Sequence, residues 1–505
     1  MKTPRKNLDA NQPHRLKFIL GGLLVIGLIL VVSWFAATQI RAGQLTNNVA
    51  TPYSTLASQT AKGTTASQST MAPQVPIVTT AKEPPACTFP LAQSSTMGSV
   101  PENYAFSNPK LVLPNTSTGG LYLYQWLPDN QRILVGSESA TPSDTGQSIE
   151  LFNPQTGDTK IVGSRPSFYP EPPVWVASLN AVVYPNTVSL SPATFDSNGM
   201  AIVPPSSDYR RQLWISRGNQ ANAQPVENAQ VTVSNDHRSR VGSAFTVAVN
   251  SDGSQIAYFD ETGTQLQVRK ALQGSLGNAQ SSTFDATRWD YRRPANTNLP
   301  MALQVAWRPN STQLFLYSSI QTGGYTFLLD IQSGQICELN LFGKDDPNDS
   351  RKSWAMSAHW SPNGQYLAVI RTKGPPIIDF SDLIVLDAQT GKLYQTDATK
   401  LTPSGVNSQG NHYISDIAWA PDNIHLAAIG RVDYPTSGGN SMQVVDRLFL
   451  LNFLTGQSVQ VSSAEIGPNI GNNQTQLLWS VDGSQLMAQC PKGLCLLSVQ
   501  KSIQP

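Results

Sequence analysis

Residues 359–370 read HWSPNGQYLAVI and have the form of two short strands joined by a tight turn. An apolar strand ends at Trp360, and Pro362 presets φ for a turn. Asn363 and Gly364 then tolerate the positive φ that a hairpin needs. The apolar run LAVI that follows is typical of a second, antiparallel strand.

This pattern recurs along the chain. Aligned on the tryptophan position, the copies follow one another at intervals of 49, 74, 58, 53, 59 and 60 residues, so one unit has about 55–60 residues, a spacing typical of a repeat protein. The copy at Val174 has lost the Pro-Asp-Gly part of the turn and predicts its blade least firmly. The other copies start at Gln125, Val249, Ala306, Ala418 and Leu478.

Most units also carry a third apolar strand and a second hairpin turn. This turn contains Thr-Gly or Ser-Gly, as in LIVLDAQTGKLY at residues 383–394. Two successive hairpins give four antiparallel strands per unit, and seven units predict an all-β, seven-bladed β-propeller that closes on a central channel. Six or eight blades are the alternatives.

The W-S-P-[DN]-G…L-A pattern, followed by D-x-x-T-G, resembles the repeat of TolB-like propellers and, more loosely, that of WD-repeat propellers. The resemblance covers residues 101–500. The Gly-His and Trp-Asp dipeptides of WD repeats are missing here. Because propellers host many unrelated activities, the resemblance implies a fold and no particular reaction.

Closure of the ring requires one strand from elsewhere in the chain. The last unit ends at Leu494–Val499 after only three strands. The apolar run Lys110–Leu113 precedes the first unit and is predicted to pair with the last blade, which would remove an exposed edge and fasten the two ends together.

The segment before the propeller divides into three parts. Residues 1–17 are basic, and residues 18–37 are uncharged and long enough, at about 30 Å, to cross a bilayer as a helix. The positive-inside rule predicts a single-pass cell-membrane protein with a cytoplasmic N-terminus and an extracytoplasmic propeller at residues 101–505. A cleaved signal peptide is the alternative, although signal h-regions run only about 7–15 apolar residues. Residues 38–100 are rich in Ser, Thr, Pro and Gln and predict a disordered linker.

Charge excludes one class of partner. The chain has 34 Lys and Arg against 33 Asp and Glu, a net charge of +1. It therefore has no bulk basic field to hold nucleic acid through its phosphates. The positive excess lies in residues 1–17, ahead of the predicted membrane helix.

Candidate binding residues fall on one face of the predicted ring. The turns between strands one and two, and between three and four, are tight, whereas long segments such as 185–211, 270–302, 371–382 and 431–446 are expected to be loops on the opposite face. Two copies of Asp-Tyr-Arg-Arg lie in these segments and suit an interface with a protein or envelope component. Local pairing of each Arg with a neighbouring Asp is the alternative. The candidate ligand-binding residues are Arg210, Arg211, Arg288, Tyr291, Arg292 and Arg293.

Motifs for catalysis, metals and cofactors are missing. The sequence has no G-x-S-x-G, no H-E-x-x-H and no phosphate-binding or dinucleotide-binding glycine motif. His359 and His425 are expected to pack or hydrogen-bond rather than bind a metal, and the acidic segment Asp345–Asp349 lacks the spacing of a calcium loop. No catalytic residue, metal or cofactor is predicted.

The four cysteines lie outside the membrane in this topology, where disulfides persist. Cys490 and Cys495 flank a turn between adjacent strands of the last unit and predict a hairpin disulfide. Cys87 and Cys337 are then left to pair or to remain free.

These observations favour a membrane-anchored propeller that acts as a non-catalytic binding or assembly module. The alternative is a propeller-type hydrolase or lyase with acidic residues at the channel mouth, an arrangement that sequence spacing cannot reveal. A sensor that signals inward is a third reading, disfavoured because residues 1–17 leave little to signal with.

Overall fold

The computed structural model places the repeats in antiparallel sheets. Residues 18–37 lie outside the described part of the chain, and within that part no helix is long and apolar enough to cross a membrane. The described residues are 84–89, 102–115, 120–138, 146–166, 172–189, 194–195, 201–202, 209–218, 223–225, 232–233, 247–259, 265–272, 275–276, 282–289, 303–318, 325–342, 352–374, 380–406, 410–435, 442–466 and 477–503.

The described strands form seven blades, which confirms the predicted seven-bladed propeller. The first two strands of the described residues, β1 (Glu102–Phe106) and β2 (Lys110–Pro114), belong to the last blade. Blade 1 consists of β3 (Leu121–Trp126), β4 (Ile133–Glu138), β5 (Gly146–Phe152) and β6 (Thr159–Pro166).

Blades 2 and 3 carry insertions. Blade 2 contains β7 (Val174–Val176), β8 (Ala181–Ser189), β11 (Tyr209–Ser216), β12 (Gln224–Pro225) and β13 (Thr232–Val233), with a separate hairpin of β9 (Thr194–Phe195) and β10 (Ala201–Ile202) between β8 and β11. Blade 3 contains β14 (Val247–Val249), β15 (Gln255–Phe259), β16 (Gln265–Leu272), β17 (Ser275–Leu276) and β18 (Ser282–Asp285).

Blades 4, 5 and 6 are regular four-stranded units, and the last blade has five strands. Blade 4 contains β19 (Leu303–Trp307), β20 (Gln313–Ser318), β21 (Thr326–Asp330) and β22 (Ile336–Glu338). Blade 5 contains β23 (Lys352–Trp360), β24 (Tyr366–Gly374), β25 (Phe380–Asp387) and β26 (Leu393–Thr396). Blade 6 contains β27 (Asn411–Trp419), β28 (His425–Pro435), β29 (Met442–Asn452) and β30 (Gln457–Gln460). Blade 7 begins with β31 (Leu477–Trp479), β32 (Gln485–Cys490) and β33 (Gly493–Ile503). Short 3₁₀ helices lie at Ala177–Leu179, Ala286–Trp289 and Ala398–Leu401.

The core consists of apolar layers between neighbouring blades. A cluster of buried side chains fills each of the seven interfaces, including the one that joins the last blade to the first. In that closing layer Met487 and Leu496 pack with Leu121 and Trp126. Because successive residues of a strand point to opposite faces, each blade supplies side chains to two layers.

The last blade closes the ring with strands from the N-terminal end of the propeller. β2 pairs with Gly493–Leu496 of β33, as the sequence predicts for Lys110–Leu113. The structure adds β1, which pairs with Val499–Ile503 of the same strand. Tyr104 and Phe106 of β1 lie edge-on to Trp479, with ring centroids 5.4 and 5.8 Å away, so aromatic packing also holds the closing strand.

The segments between the second and third strands differ from the sequence-based expectation. Parts of 185–211, 371–382 and 431–446 were expected to be loops, but the strands continue into them, as in the pairing of Pro435 with Met442. Cross-strand pairing satisfies backbone groups that a loop would leave to water. The opposite face therefore carries long hairpins in blades 2, 5 and 6.

Candidate functional site

The tight turns between the first and second strands are linked from blade to blade. The backbone N–H of Asn363 donates to Oδ1 of Asn423 in the next blade at 2.8 Å. Ser251 and Asn310 make a similar contact between blades 3 and 4, at 3.1 Å. A Cβ at Gly364, whose φ is +71°, would lie 2.5 Å from the carbonyl oxygen of Pro309, so only glycine fits there. These contacts fix the turns as a rigid belt on one face.

The opposite face carries the hairpins β24–β25 and β28–β29, which we call the rim. Both hairpins extend past the outer strand of their blade: β28 and β29 pair as far as Pro435 and Met442, whereas β29 meets β30 only from Phe449 onward. Strand two joins the turn belt at one end and the rim at the other, so these features lie on opposite faces of the ring.

A buried ion pair lies at the base of the rim in blade 6. Arg431 and Asp446 are directly opposite each other on β28 and β29. The guanidinium donates from Nε to Oδ1 at 2.9 Å and from Nη2 to Oδ2 at 3.0 Å. Asp446 is 1% exposed. Asp433 stands 3.9 Å from the same Nε, so one Arg serves two carboxylates.

Both carboxyl groups beside Arg431 have a pKa above the ordinary value. Burial raises the pKa of Asp446 to about 6, although the charge and hydrogen bonds of Arg431 oppose this rise. Burial likewise raises the pKa of Asp433 above its ordinary value, again against the charge of Arg431. Glu465 adds a like charge that favours protonation of Asp446. Protonation of Asp446 near pH 6 would change the charge beneath the rim.

Blade 5 contains a related pair at its own hairpin. Arg371 of β24 binds Asp382 of β25, and these residues are also directly opposite each other. Gln395 of the outer strand donates to the same Asp382 carboxylate at 2.9 Å. In both blades a cross-strand Arg–Asp pair therefore stiffens the base of the hairpin.

Asp416 connects the rim region of blade 6 to blade 7. It lies in β27, is 4% exposed, and its Oδ2 accepts a hydrogen bond from the backbone N–H of Leu477 at 2.9 Å. Leu477 begins the innermost strand of blade 7. This contact fixes the two innermost strands against each other beneath the rim.

Of the predicted arginine and tyrosine set, Arg288 is the member whose side chain the structure describes. Arg210 and Arg211 lie in strand β11, where they pair with Val188 and Thr187, so the loop expected there is wrong at these positions. Arg288 ends a 3₁₀ helix and lies 3.4 Å from Asp285, with both side chains largely exposed. At Arg288 the structure therefore shows local pairing of an Arg with a neighbouring Asp, which is the alternative to a binding interface. Tyr291, Arg292 and Arg293 lie outside the described residues, so a joint binding patch stays a prediction.

The histidines and acidic residues singled out in the sequence lie at separate positions in the fold. His359 is partly buried, and desolvation lowers its pKa to about 4. Nδ1 of His425 lies 2.6 Å from Asp422 in the turn of blade 6. Residues 345–349 lie outside the described part of the chain, and within that part no three His, Cys, Asp or Glu side chains are grouped to hold a metal ion.

The structure pairs all four cysteines. Cys490 and Cys495 join β32 to β33, with Cα atoms 5.9 Å apart. Cys87 is bonded to Cys337 in β22, with Cα atoms 4.8 Å apart. The second bond attaches a segment of the predicted linker to blade 4.

Sequence reasoning missed the ion pairs beneath the rim. Their signal is present in the sequence, because Arg431 and Asp446 are charged residues inside runs that otherwise read as apolar strands. A charged residue is ordinary in a loop and unusual in a buried strand, so the signal of these ion pairs appears only when the two runs are assigned to strands.

Comparison with known proteins assigns this chain to no family. No family model matches the chain, and no curated protein matches it. Similar solved structures include an oligogalacturonate lyase in complex with manganese, with 11% identity over 80% of this chain and 97% of that chain and a TM-score of 0.40. Others are Kuenenia stuttgartiensis hydrazine synthase, with 12% identity over 77% and 98% of the two chains and a TM-score of 0.41, and the Dos1 propeller, with 9% identity over 77% and 95% and a TM-score of 0.38. Identities and TM-scores this low carry no argument about either the fold or the activity of this chain. The chain is a seven-bladed β-propeller, as the pairing of its own strands establishes.

Proposed function

We propose that this chain is a single-pass membrane protein whose TolB-like propeller lies outside the cytoplasm and serves as a non-catalytic binding or assembly module for proteins or envelope components. The observation that carries the proposal is the rim. Its two hairpins extend from adjacent blades, and each is stiffened by an Arg–Asp pair at its base. A preorganised surface loses little conformational entropy when a partner binds.

The composition of the rim also supports a role in recognition. Tyr434 lies near the tip of the β28–β29 hairpin, partly exposed, and Gln443 is exposed on the facing strand. Tyrosine supplies a rigid contact area with a polar end, which is why it is enriched in interfaces. The turn belt on the other face is occupied by contacts between the blades themselves.

The cysteine pairing supports the extracytoplasmic location. All four cysteines are in disulfides, and such bonds persist in oxidising compartments and are rare in a reducing cytosol. This agrees with the charge asymmetry around residues 18–37, which predicts that the chain after the anchor lies outside.

Site-specific photo-crosslinking of the full-length chain in intact cells tests the binding role. A photoreactive residue is placed at Gln443 in the rim, and a matched one at Gln155, an exposed glutamine in the turn between the outer strands of blade 1. We expect a defined crosslinked partner from position 443 and none from position 155. Equal crosslinking at both positions, or none at 443, contradicts a rim interface.

The other parts of the proposal have separate tests. Protease treatment of intact cells should degrade the propeller, and its survival would overturn the outside location. Replacement of Arg292 and Arg293 by Ala should reduce partner capture, and unchanged capture would remove them from the interface. Turnover of a captured envelope component would support the hydrolase or lyase alternative.

A further inference from the structure

Residues 84–89, which we call the strap, lie along the outer edge of blade 4. Ala86 pairs in parallel with Glu338 of β22. The N–H of Cys87 donates to the carbonyl of Glu338 at 2.9 Å, and the N–H of Glu338 donates to the carbonyl of Pro85 at 2.8 Å. A segment of the predicted linker thus extends the sheet of blade 4 by one short strand and covers its outer edge.

One disulfide clamps the strap in this place. Cys87 is bonded to Cys337 across a sequence separation of 250 residues. Beyond the bond, Phe89 reaches the neighbouring blade, since a Cβ at Gly391 in the β25–β26 turn would lie 2.6 Å from the Phe89 ring. Cys87 and Phe89 both pack against the apolar layer between blades 4 and 5. The other described attachments of the strap are the bridge at Ala86 and the burial of Pro84, so the disulfide is its one described covalent attachment to the blade.

The two disulfides of the chain differ in exposure. Cys490 and Cys495 are each 6% exposed and lie in the layer between blades 6 and 7. Cys87 and Cys337 are only partly buried. Exchange requires a thiolate to reach a sulfur atom, so an external dithiol meets the clamp bond first.

We propose that Cys87–Cys337 is a redox-operated clamp, and that its selective reduction by a dithiol releases the strap and uncovers the outer edge of blade 4. A thiolate of the dithiol attacks one sulfur of the bond and forms a mixed disulfide, while the other cysteine leaves as a thiolate and takes up a proton. The second thiol of the reductant then displaces the protein sulfur. The protein gains two electrons and two protons as a pair of thiols, and the reductant ends as its own disulfide.

Release has a local structural consequence. Without the covalent bond, the described attachments that remain are the parallel bridge, the Phe89 contact and the burial of Pro84, and on this proposal they do not hold the six-residue segment against its chain entropy. The N–H and carbonyl of Glu338 then lose their partners in the strap and become an open strand edge that can pair with another chain. The clamp thereby controls whether blade 4 presents an edge, independently of the proposed membrane anchor.

Graded reduction of the full-length chain tests the order of opening. The chain is titrated with dithiothreitol under native conditions, free thiols are alkylated, and the peptides are identified by mass spectrometry. We expect Cys87 and Cys337 to be alkylated at a dithiothreitol concentration at least about tenfold below that needed for Cys490 and Cys495. Simultaneous modification, or modification of Cys490 and Cys495 first, overturns the proposal.

Hydrogen exchange of the selectively reduced chain tests the release. The amides of Cys87 and Glu338 should lose protection, while those of Leu328 and Leu329, which lie in the core of the same blade, keep theirs. Retained protection at Cys87 and Glu338 overturns the proposal, even if the bond is reduced first. The double variant Cys87→Ser, Cys337→Ser should show the same loss without reductant. The matched variant Cys490→Ser, Cys495→Ser should leave the strap protected, and the wild-type titration decides the matter if either variant fails to fold.

Discussion

Arg431 and Asp446 face each other across neighbouring strands of blade 6, and the guanidinium binds both oxygens of the carboxylate, at 2.9 and 3.0 Å. The pair is nearly removed from water, because Asp446 is 1% exposed. In such a place the loss of one partner leaves an uncompensated charge, whereas exchange of both partners for apolar residues of similar size can be almost neutral.

Replacement of Arg431 by Met should therefore destabilise the propeller strongly, by about 3–5 kcal/mol, because Asp446 is left buried and unpaired. The double variant Arg431→Met, Asp446→Leu should recover much of that loss. Both are measured by chemical denaturation. The matched control is Arg288→Met, which breaks the exposed pair with Asp285 and should change stability by less than about 1 kcal/mol. Equal losses at Arg431 and Arg288 would contradict this account of the rim.

The raised pKa of Asp446 predicts a pH dependence with a definite sign. Between the ordinary value of 3.8 and about 6, the folded chain holds a proton on Asp446 that the unfolded chain has lost. The contribution of this group to stability is therefore greatest below that window and declines as the pH rises through it, by about 3 kcal/mol at most. The wild type should lose stability relative to Asp446→Asn as the pH rises over the same range, and parallel profiles would refute the assignment.

Asp422 should show the opposite pH dependence of stability, because its pKa is lowered and not raised. Burial alone would raise its pKa, but hydrogen bonds from His425 and from the backbone outweigh burial and hold the pKa below its ordinary value. A carboxyl with a lowered pKa stabilises the fold above its unfolded value and loses this effect as the pH falls. The stability difference between wild type and Asp422→Asn should therefore grow as the pH rises from acid toward neutral, as measured by denaturation at a series of pH values.

Closure of the ring can be tested at Gly493. Its φ is +143°, and a Cβ there would lie 2.0 Å from the carbonyl oxygen of Leu113 in the paired strand β2. We expect Gly493→Ala to cost roughly 3 kcal/mol, because backbone atoms must move. Gly157, with φ +80° and nothing within 4 Å of the added Cβ, is the control and should show only conformational strain of about 1 kcal/mol. Thermal unfolding of the two variants gives the comparison, and equal losses would count against the close approach of β2.

The turn belt can be tested with two asparagines of positive φ. Asn423 has φ +62°, and its side chain accepts the hydrogen bond from Asn363 of blade 5. Asn180 has φ +46°, and its conformation ends a 3₁₀ helix. Glycine tolerates this backbone at either site, so Asn180→Gly should be nearly neutral while Asn423→Gly loses about 1 kcal/mol with the inter-blade bond. The two losses are compared through the denaturation midpoints of the variants. Identical midpoints would show that the hydrogen bond between Asn363 and Asn423 does not stabilise the propeller.

Much of the fold could be predicted because each repeat is specified by residues that are close together in the sequence. The Pro-Asn-Gly turn at Pro362 and the apolar runs beside it specify a hairpin without help from distant residues. The closing strand Lys110–Leu113 was also predictable, since a propeller with a three-stranded last blade needs a partner for its edge. Strand β1 was not, because its sequence ENYAF is half polar, and it becomes a strand through packing of Tyr104 and Phe106 on Trp479.

The candidate site was less predictable. The sequence predicts loops in the rim because the length between the tight turns lies there, yet Arg431 and Asp446 belong to strands. The pair forms only when β28 and β29 bring residues fifteen positions apart into register, which depends on the hairpin beyond it. For the predicted arginine set the structure shows one local contact, between Arg288 and Asp285.

The sequence alone determined the seven-fold repeat and the tight turns, which depend on residues close together in the chain, and a charge balance without a basic field, which depends on composition. It also determined the mixed closure of the last blade, because a unit that ends after three strands needs a further strand from elsewhere in the chain. Tertiary structure decided the rest: the extent of the rim, the buried Arg–Asp pairs, and the attachment of Cys87 to blade 4 through a bond that spans 250 residues. These contacts join residues that are brought together only when the strands and blades pack. Their contribution to the free energy of folding therefore depends on neighbours that are far apart in the sequence.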